Sequence, residues 1–187
     1  MYPSLTKEKY HVSCRNFVEY LMVQLGKVKF GYYNSPIGLI EVQAEEDMIT
    51  SLMFCEGLEK TDSDETDCIA DCIQQLKEYF EGTRTGFDIP VCQKGTMFQQ
   101  RVWETLLNTN SYADIAGFMG NQNASRAIGS ANGKNRIWIV VSCHRVIGSN
   151  GYLTGYAGGV ARKRWLLDHE SRVSRGSETL TQQKLFS

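Results

Sequence analysis

The chain has 187 residues, 42% of them hydrophobic, which suffices for one or two small domains around a core. No apolar run nears the roughly 18 residues of a membrane span, the N-terminus lacks a signal-peptide pattern, and six irregularly spaced Cys point to free thiols, so the expectation is an intracellular protein with no membrane contact. The formal net charge of −1 conceals an uneven split: residues 1–94 hold 9 Lys/Arg against 16 Asp/Glu, residues 95–187 hold 11 against 5, and only the second half suits a polyanion.

Residues 1–27 read as an N-terminal extension, helical from about Cys14 to Leu25, where Phe17, Val18, Leu21, Met22 and Leu25 share a face before Gly26. Three strands follow. The first runs through Tyr32 and Tyr33 into the Ser35-Pro36-Ile37-Gly38 turn, the second covers Leu39–Ala44, and the third covers Ile49–Phe54 after an acidic turn. Beyond a solvated loop, a helix from about Thr66 to Phe80 puts Cys68, Ile69, Cys72, Ile73, Leu76, Tyr79 and Phe80 on one face. The four-residue spacing of Cys68 and Cys72 suits core packing or two ligands of a structural zinc in this N-terminal domain. No His or Cys of matching spacing accompanies them, so packing is the expectation, and His11 with Cys14 reads the same way.

Gly82 to Gly95 is a connector with a short extended piece, Phe87–Val91, and the charge changes sign there, placing a domain boundary near residue 92. Thr96 can cap a helix that carries Phe98, Val102, Trp103 and Leu106 inward. Tyr112 to Asn132 reads as two short helices around Gly120–Asn123, which is helix-turn-helix spacing. In the second helix Ala124, Ser125, Ala127, Gly129, Ser130 and Ala131 are small, and Arg126 is the one long side chain. That face suits either tight helix packing or close approach to a partner surface, with Arg126 as a probe. Ile137–Val141 is an apolar, β-branched run expected to be a buried strand, with Cys143 and His144 just past it. The pair is either structural or a nucleophile with its base. A glycine-rich loop, Gly155–Gly159, precedes a helix over Val160–His169 with basic Arg162, Lys163 and Arg164, and residues 172–187 are expected to be a disordered tail.

The ordered set Tyr32 to Gly38, Gln75 to Gly82, Gly95 to Trp103, Arg126-Ala127-Ile128-Gly129, Cys143-His144-Arg145-Val146, Thr154 to Gly159 and Arg162 to Glu170 resembles the 6-O-alkylguanine-DNA alkyltransferases, also called methylated-DNA–protein-cysteine methyltransferases. The likeness spans about residues 28–171. It implies an α+β fold: a small N-terminal α/β domain, 28–92, with a short antiparallel sheet plus helix, and a mainly helical C-terminal domain, 93–171, holding the helix-turn-helix and the reactive Cys. It also implies single-turnover DNA repair, in which an alkyl group, mainly methyl, passes from the 6-oxygen of guanine to the Cys143 thiolate. His144 would act as base through a water, Glu170 would orient it, and Asn135 would brace the segment. The nucleotide would be flipped out through the minor groove, with Arg126 filling the vacated stack, Tyr112 pressing on the 3′ phosphate, and Ser125, Ala127 and Gly129 lying against the groove. Tyr156, Val146, Trp138, Gly158 and Gly159 would form the alkylguanine pocket. The implied partner is double-stranded DNA carrying 6-O-alkylguanine. The implied protein is a monomer that requires no cofactor and resides in the nucleus.

Three features depart from the family pattern. Ser142 replaces the usual Pro before the Cys, adding a donor and removing rigidity. Trp138 replaces a small residue or Pro five positions before the Cys, and pointing inward it would narrow the alkyl pocket and favour methyl over benzyl. The segment between Trp103 and Tyr112 is short and lacks a Pro-x-Gly turn. Two other readings compete: a non-reacting sensor of alkylated DNA, which would dispense with Cys143, and a turnover Cys-His hydrolase, which would leave Arg126 and the basic half without a role.

Overall fold

The computed structural model describes residues 28–56, 66–108, 122–147, 153 and 155–185. The expected helix over residues 14–25, the first helix of the helix-turn-helix and Tyr112 lie outside the described residues.

Strands β1 (Lys29–Ser35), β2 (Gly38–Glu45) and β3 (Met48–Phe54) form an antiparallel sheet in sequential order, with Tyr33 opposite Ile40 and Val42 opposite Leu52. The two-residue side-chain period puts Ile40, Val42 and Ala44 of β2 into the core. Helix α1 (Asp67–Glu81) covers that face with Ile69, Cys72, Gln75, Leu76, Tyr79 and Phe80. Its approach depends on Gly31 of β1, where a Cβ would fall 2.3 Å from Ile69 Cγ2. Gly82, at φ 78°, ends α1 in the left-handed region. The Gln75 amide then ties down the connector, donating to Asp88 O at 3.0 Å and accepting from Asp88 N at 2.9 Å.

The connector leads along the outer edge of β3, where Ile49 N donates to Pro90 O at 2.8 Å and Cys92 N to Ile49 O at 2.9 Å. Helix α2 (Met97–Asn108) opens with a reciprocal cap: Gln99 N donates to Thr96 Oγ1 at 3.3 Å and Thr96 N to Gln99 Oε1 at 2.9 Å. Val102, Trp103 and Leu106 are buried as the periodicity predicts, but Phe98 is not; it is 43% exposed beside exposed Met97, because the first turn of α2 stands past the edge of the core. Trp103 Nε1 donates to Ala131 O at 3.0 Å and so fastens α2 to helix α3 (Gln122–Gly133).

Two further expectations are corrected. Ile137–Val141 is not a strand: Ile137 makes one parallel bridge to Leu52, and the chain turns back from Trp138. Residues 172–185, expected to lie in a disordered tail, continue helix α4 (Val160–Leu185) past His169. The segment after Glu170 is polar but contains no Pro, and eight of residues 171–185 are Arg, Glu, Gln, Lys or Leu, so a helix already nucleated on the core can propagate into it.

Candidate active site

The segment after α3 is shaped by one buried side chain. Asn135, 3% exposed, accepts from Ile137 N at 2.9 Å through Oδ1, while Nδ2 donates to Val141 O at 3.1 Å and to Cys143 Sγ at 3.0 Å. The apolar run therefore folds around the amide instead of extending. Its start is docked on the sheet, with Leu52 N donating to Arg136 O and Trp138 N to Leu52 O, both at 2.8 Å. Val140 N then reaches Trp138 O at 2.8 Å in a γ-turn centred on Ile139, whose φ is 70°. A β-branched residue in that region stores on the order of 1–3 kcal/mol, and such strain persists only where the surroundings over-determine it. A second tight turn, Cys143 N to Val141 O at 2.6 Å around Ser142, delivers the chain into the short 3-10 turn Cys143–Arg145.

Cys143 is 6% exposed, and burial pushes its thiol up to about 11 against the opposing pull of the Asn135 hydrogen bond and the Lys163 charge. Lys163 is itself 1% exposed and donates to Val146 O at 2.5 Å; burial lowers its pKa while Cys143 raises it. His144 is fully buried, with Nε2 2.8 Å from Glu170 Oε1 and Nδ1 without a partner among the described residues. Arg145 grips the same carboxylate, Nε to Oε2 at 2.9 Å and a terminal nitrogen to Oε1 at 3.2 Å, and Tyr79 OH donates to Oε1 at 3.0 Å. Burial pushes the Glu170 carboxyl up, but the hydrogen bonds and charges of His144 and Arg145 outweigh it and hold it down to about 2. With Glu170 ionised, His144 Nε2 is the donor of this pair, and Nδ1 is the ring nitrogen turned away from the carboxylate.

A cleft of about 380 Å³ opens at the thiol, lined by Cys143, Val146, Gly155, Tyr156 and Ala157 on one side and by Gly129, Asn132 and Gly133 of α3 on the other. The Tyr156 hydroxyl is buried with no partner among the described residues, and burial followed by the nearby Cys143 keeps it a phenol. Trp138 is not in the cleft wall. It stands behind Tyr156 at 5.8 Å between ring centroids, packs on Phe54 at 5.9 Å, and donates from Nε1 to Asn135 O at 3.0 Å. Gly158 is buried against the Tyr156 and Trp138 rings, and Gly159, at φ 92°, turns the chain into α4; neither lines the cleft.

The outer face of α3 carries Arg126, Ala127, Gly129 and Ser130, all exposed, while Ile128 and Ala131 face the core. A Cβ at Gly129 or Gly133 would meet nothing within 4 Å. Ala131 packs inward, and among the described residues nothing packs on the small residues of the outer face, which leave it open with Arg126 exposed on it. The side chain of Ser125 lies outside the described residues. So do His11 and Cys14, while Cys72 is a core thiol pushed up to about 12, first by burial. Among the described residues no three His, Cys, Asp or Glu side chains converge on a metal position.

Sequence reasoning overlooked Tyr79, Arg145 and Lys163. Arg145 had a signal in its adjacency to His144. Lys163 and Tyr79 reach the site only through the tertiary fold.

The family model "6-O-methylguanine DNA methyltransferase, ribonuclease-like domain" matches residues 28–93, and "6-O-methylguanine DNA methyltransferase, DNA binding domain" matches residues 97–172. The constitutive methylated-DNA–protein-cysteine methyltransferase of Bacillus subtilis (strain 168) is 42% identical over 159 residues, covering 76% of this chain and 96% of that protein. The methylated-DNA–protein-cysteine methyltransferase of Mycolicibacterium paratuberculosis is 42% identical over 162 residues, covering 82% and 98%. Among solved structures, Mycobacterium tuberculosis OGT in complex with DNA is similar at a TM-score of 0.66 and 41% identity, covering 77% of this chain and 93% of that one.

Proposed function

The chain belongs to the 6-O-methylguanine DNA methyltransferase family, and on that premise we propose that it repairs duplex DNA by moving one methyl group from the 6-oxygen of a flipped guanine to Cys143. It is an enzyme of the methylated-DNA–protein-cysteine methyltransferase type, and the family's chemistry uses no cofactor. The observation that carries the finer reading is the shared cleft: the thiol and Tyr156 form one wall, and the small-residue helix that presents Arg126 forms the other.

In this reading the thiol proton passes to His144 Nδ1 through a water, while Nε2–H stays on Glu170. The thiolate sulfur attacks the methyl carbon, the carbon–oxygen bond breaks, and the electron pair leaves on the guanine oxygen, with the Tyr156 hydroxyl donating to the base. The new sulfur–carbon bond is a thioether that no group in the site can cleave, so each chain reacts once. A resting thiol held near 11 is protonated at neutral pH, so ionisation is coupled to substrate arrival, helped by the Asn135 donor and the Lys163 charge. Asn135 acts as a brace.

A base in a duplex cannot reach a thiol buried at the foot of a cleft, so the nucleotide must rotate out. Arg126 fills the gap while Ala127 and Gly129, with Ser125 on the same helix, lie against the minor groove. Tyr112 is assigned to the 3′ phosphate by resemblance. Val146 lines the guanine pocket, Gly158 and Trp138 back Tyr156 from behind it, and Gly159 turns the chain into α4. The protein acts as a monomer on DNA carrying 6-O-alkylguanine. The relatives named above are bacterial and give nuclear residence no support.

The test is incubation with duplex DNA carrying radiolabelled 6-O-methylguanine. One label per chain, absent in Cys143→Ala, is the expected result. Binding without transfer would favour a sensor, and repeated turnover on acyl esters would favour a hydrolase.

A further inference from the structure

We propose that Tyr79, contributed by α1 of the N-terminal domain, is a positioning residue of the transfer site, its hydroxyl fixing the Glu170 carboxylate that orients His144. The assignment rests on the methyl-transfer reading above.

Glu170 Oε1 accepts from His144 at 2.8 Å, Tyr79 OH at 3.0 Å and Arg145 at 3.2 Å, and Oε2 accepts from Arg145 at 2.9 Å. Four donors use about all the lone-pair directions a carboxylate offers. Three of them come from the two residues that follow the reactive Cys, and only Tyr79 comes from another domain. It ties the carboxylate to α1, an element outside the active-site turn.

Tyr79 is itself held at both ends by consecutive residues of α4. His169 Nε2 lies 2.6 Å from its carbonyl oxygen, and Glu170 takes its hydroxyl. Its ring, 2% exposed, packs at 5.4 Å on Phe80, 5.4 Å on Phe87 and 5.2 Å on His169. Packing alone would be served by Phe. The hydroxyl adds only the bond to Glu170, and burial followed by the Glu170 charge keeps it protonated and therefore a donor. The titratable and charged groups facing Glu170 are His144 and Arg145 from the 3-10 turn and Tyr79 from α1, with His169 on α4 and Arg84 after α1 around the adjoining cavity.

Tyr79→Phe removes one oxygen and keeps the ring. The expected result is a roughly tenfold slower single-turnover transfer from methylated duplex, the size of one charge-assisted hydrogen bond, with unchanged affinity for unmethylated DNA. The acid limb of the pH–rate profile should move to higher pH, since a carboxylate that has lost a donor holds the relay proton more tightly. In a Glu170→Gln background the same change should slow transfer less than about twofold, because the hydroxyl acts through Glu170. Equal slowing in both backgrounds, or slowing that follows the loss of folded protein with the pH profile unmoved, would overturn the assignment and leave Tyr79 a packing residue. A wild-type protein that transfers no methyl would overturn the functional reading and this assignment with it, whereas a wild type and a Tyr79→Phe variant that transfer alike overturn this assignment alone.

Discussion

Asn135→Asp changes one atom group at the centre of the active-site segment. The oxygen facing Ile137 N keeps its bond, while the other oxygen now meets Val141 O and Cys143 Sγ at the 3.1 and 3.0 Å where an amide donated. A carboxylate there is repelled by the carbonyl and leaves buried groups unpaired, a loss of ~1–3 kcal/mol for each. The variant has an escape, because a protonated carboxyl can donate to Val141 O. Holding that proton at pH 7 against an ordinary Asp value near 3.9 costs ~4 kcal/mol at 1.36 kcal/mol per unit, and this bounds the penalty. The folded-state pKa is raised, so stability is intact below about pH 4 and falls by up to ~1.4 kcal/mol per unit as pH rises toward the folded value. Urea unfolding followed by the fluorescence of buried Trp103 and Trp138 at several pH values between 4 and 8 measures the difference from wild type. Asn135→Ala should show a deficit that does not change with pH. A pH-independent deficit in Asn135→Asp would refute the hydrogen-bond argument.

Arg126→Ala removes an exposed side chain, so the thermal midpoint should stay within the range of ~0.5 kcal/mol, while transfer from duplex falls on the order of 10–100-fold and more steeply than transfer from the free base; equal losses on both substrates would refute the flipping role. Ser142 has φ −70°, the value a Pro ring imposes, so Ser142→Pro should raise the urea midpoint by the equivalent of ~0.4–1 kcal/mol. Wild-type protein should react faster with methylguanine than with benzylguanine, and Trp138→Ala, by freeing Tyr156 to move back, should narrow that ratio by roughly tenfold. Comparable rates on the two substrates before substitution would remove any part for Trp138 in alkyl size.

The sheet, the covering helix and the helix that carries Arg126 were legible because each buries one face and repeats its apolar residues at the matching period. Ile137–Val141 misled for a reason of the same kind. β-branched residues suit any fully buried backbone, and the signal that this one folds back lies in Asn135, whose amide replaces the strand partners the run would otherwise need. The contact of Tyr79 with Glu170 joins residues 91 apart in the chain and leaves no local trace. The small-residue face offered two meanings from composition, and the exposure of Gly129 among the described residues favours approach to a partner surface.

The bridge from Leu52 to Ile137 makes the reactive segment the closing edge of the N-terminal sheet. An isolated N-terminal half would keep the connector on Ile49 but leave the Leu52 amide and carbonyl without their partners, an open edge for another extended chain. An isolated C-terminal half would lose the backbone partners that pin the start of the turn bearing the thiol. The two family modules thus share backbone hydrogen bonds at Leu52, and a break between residues 93 and 97 is expected to weaken both halves rather than free an intact reactive turn.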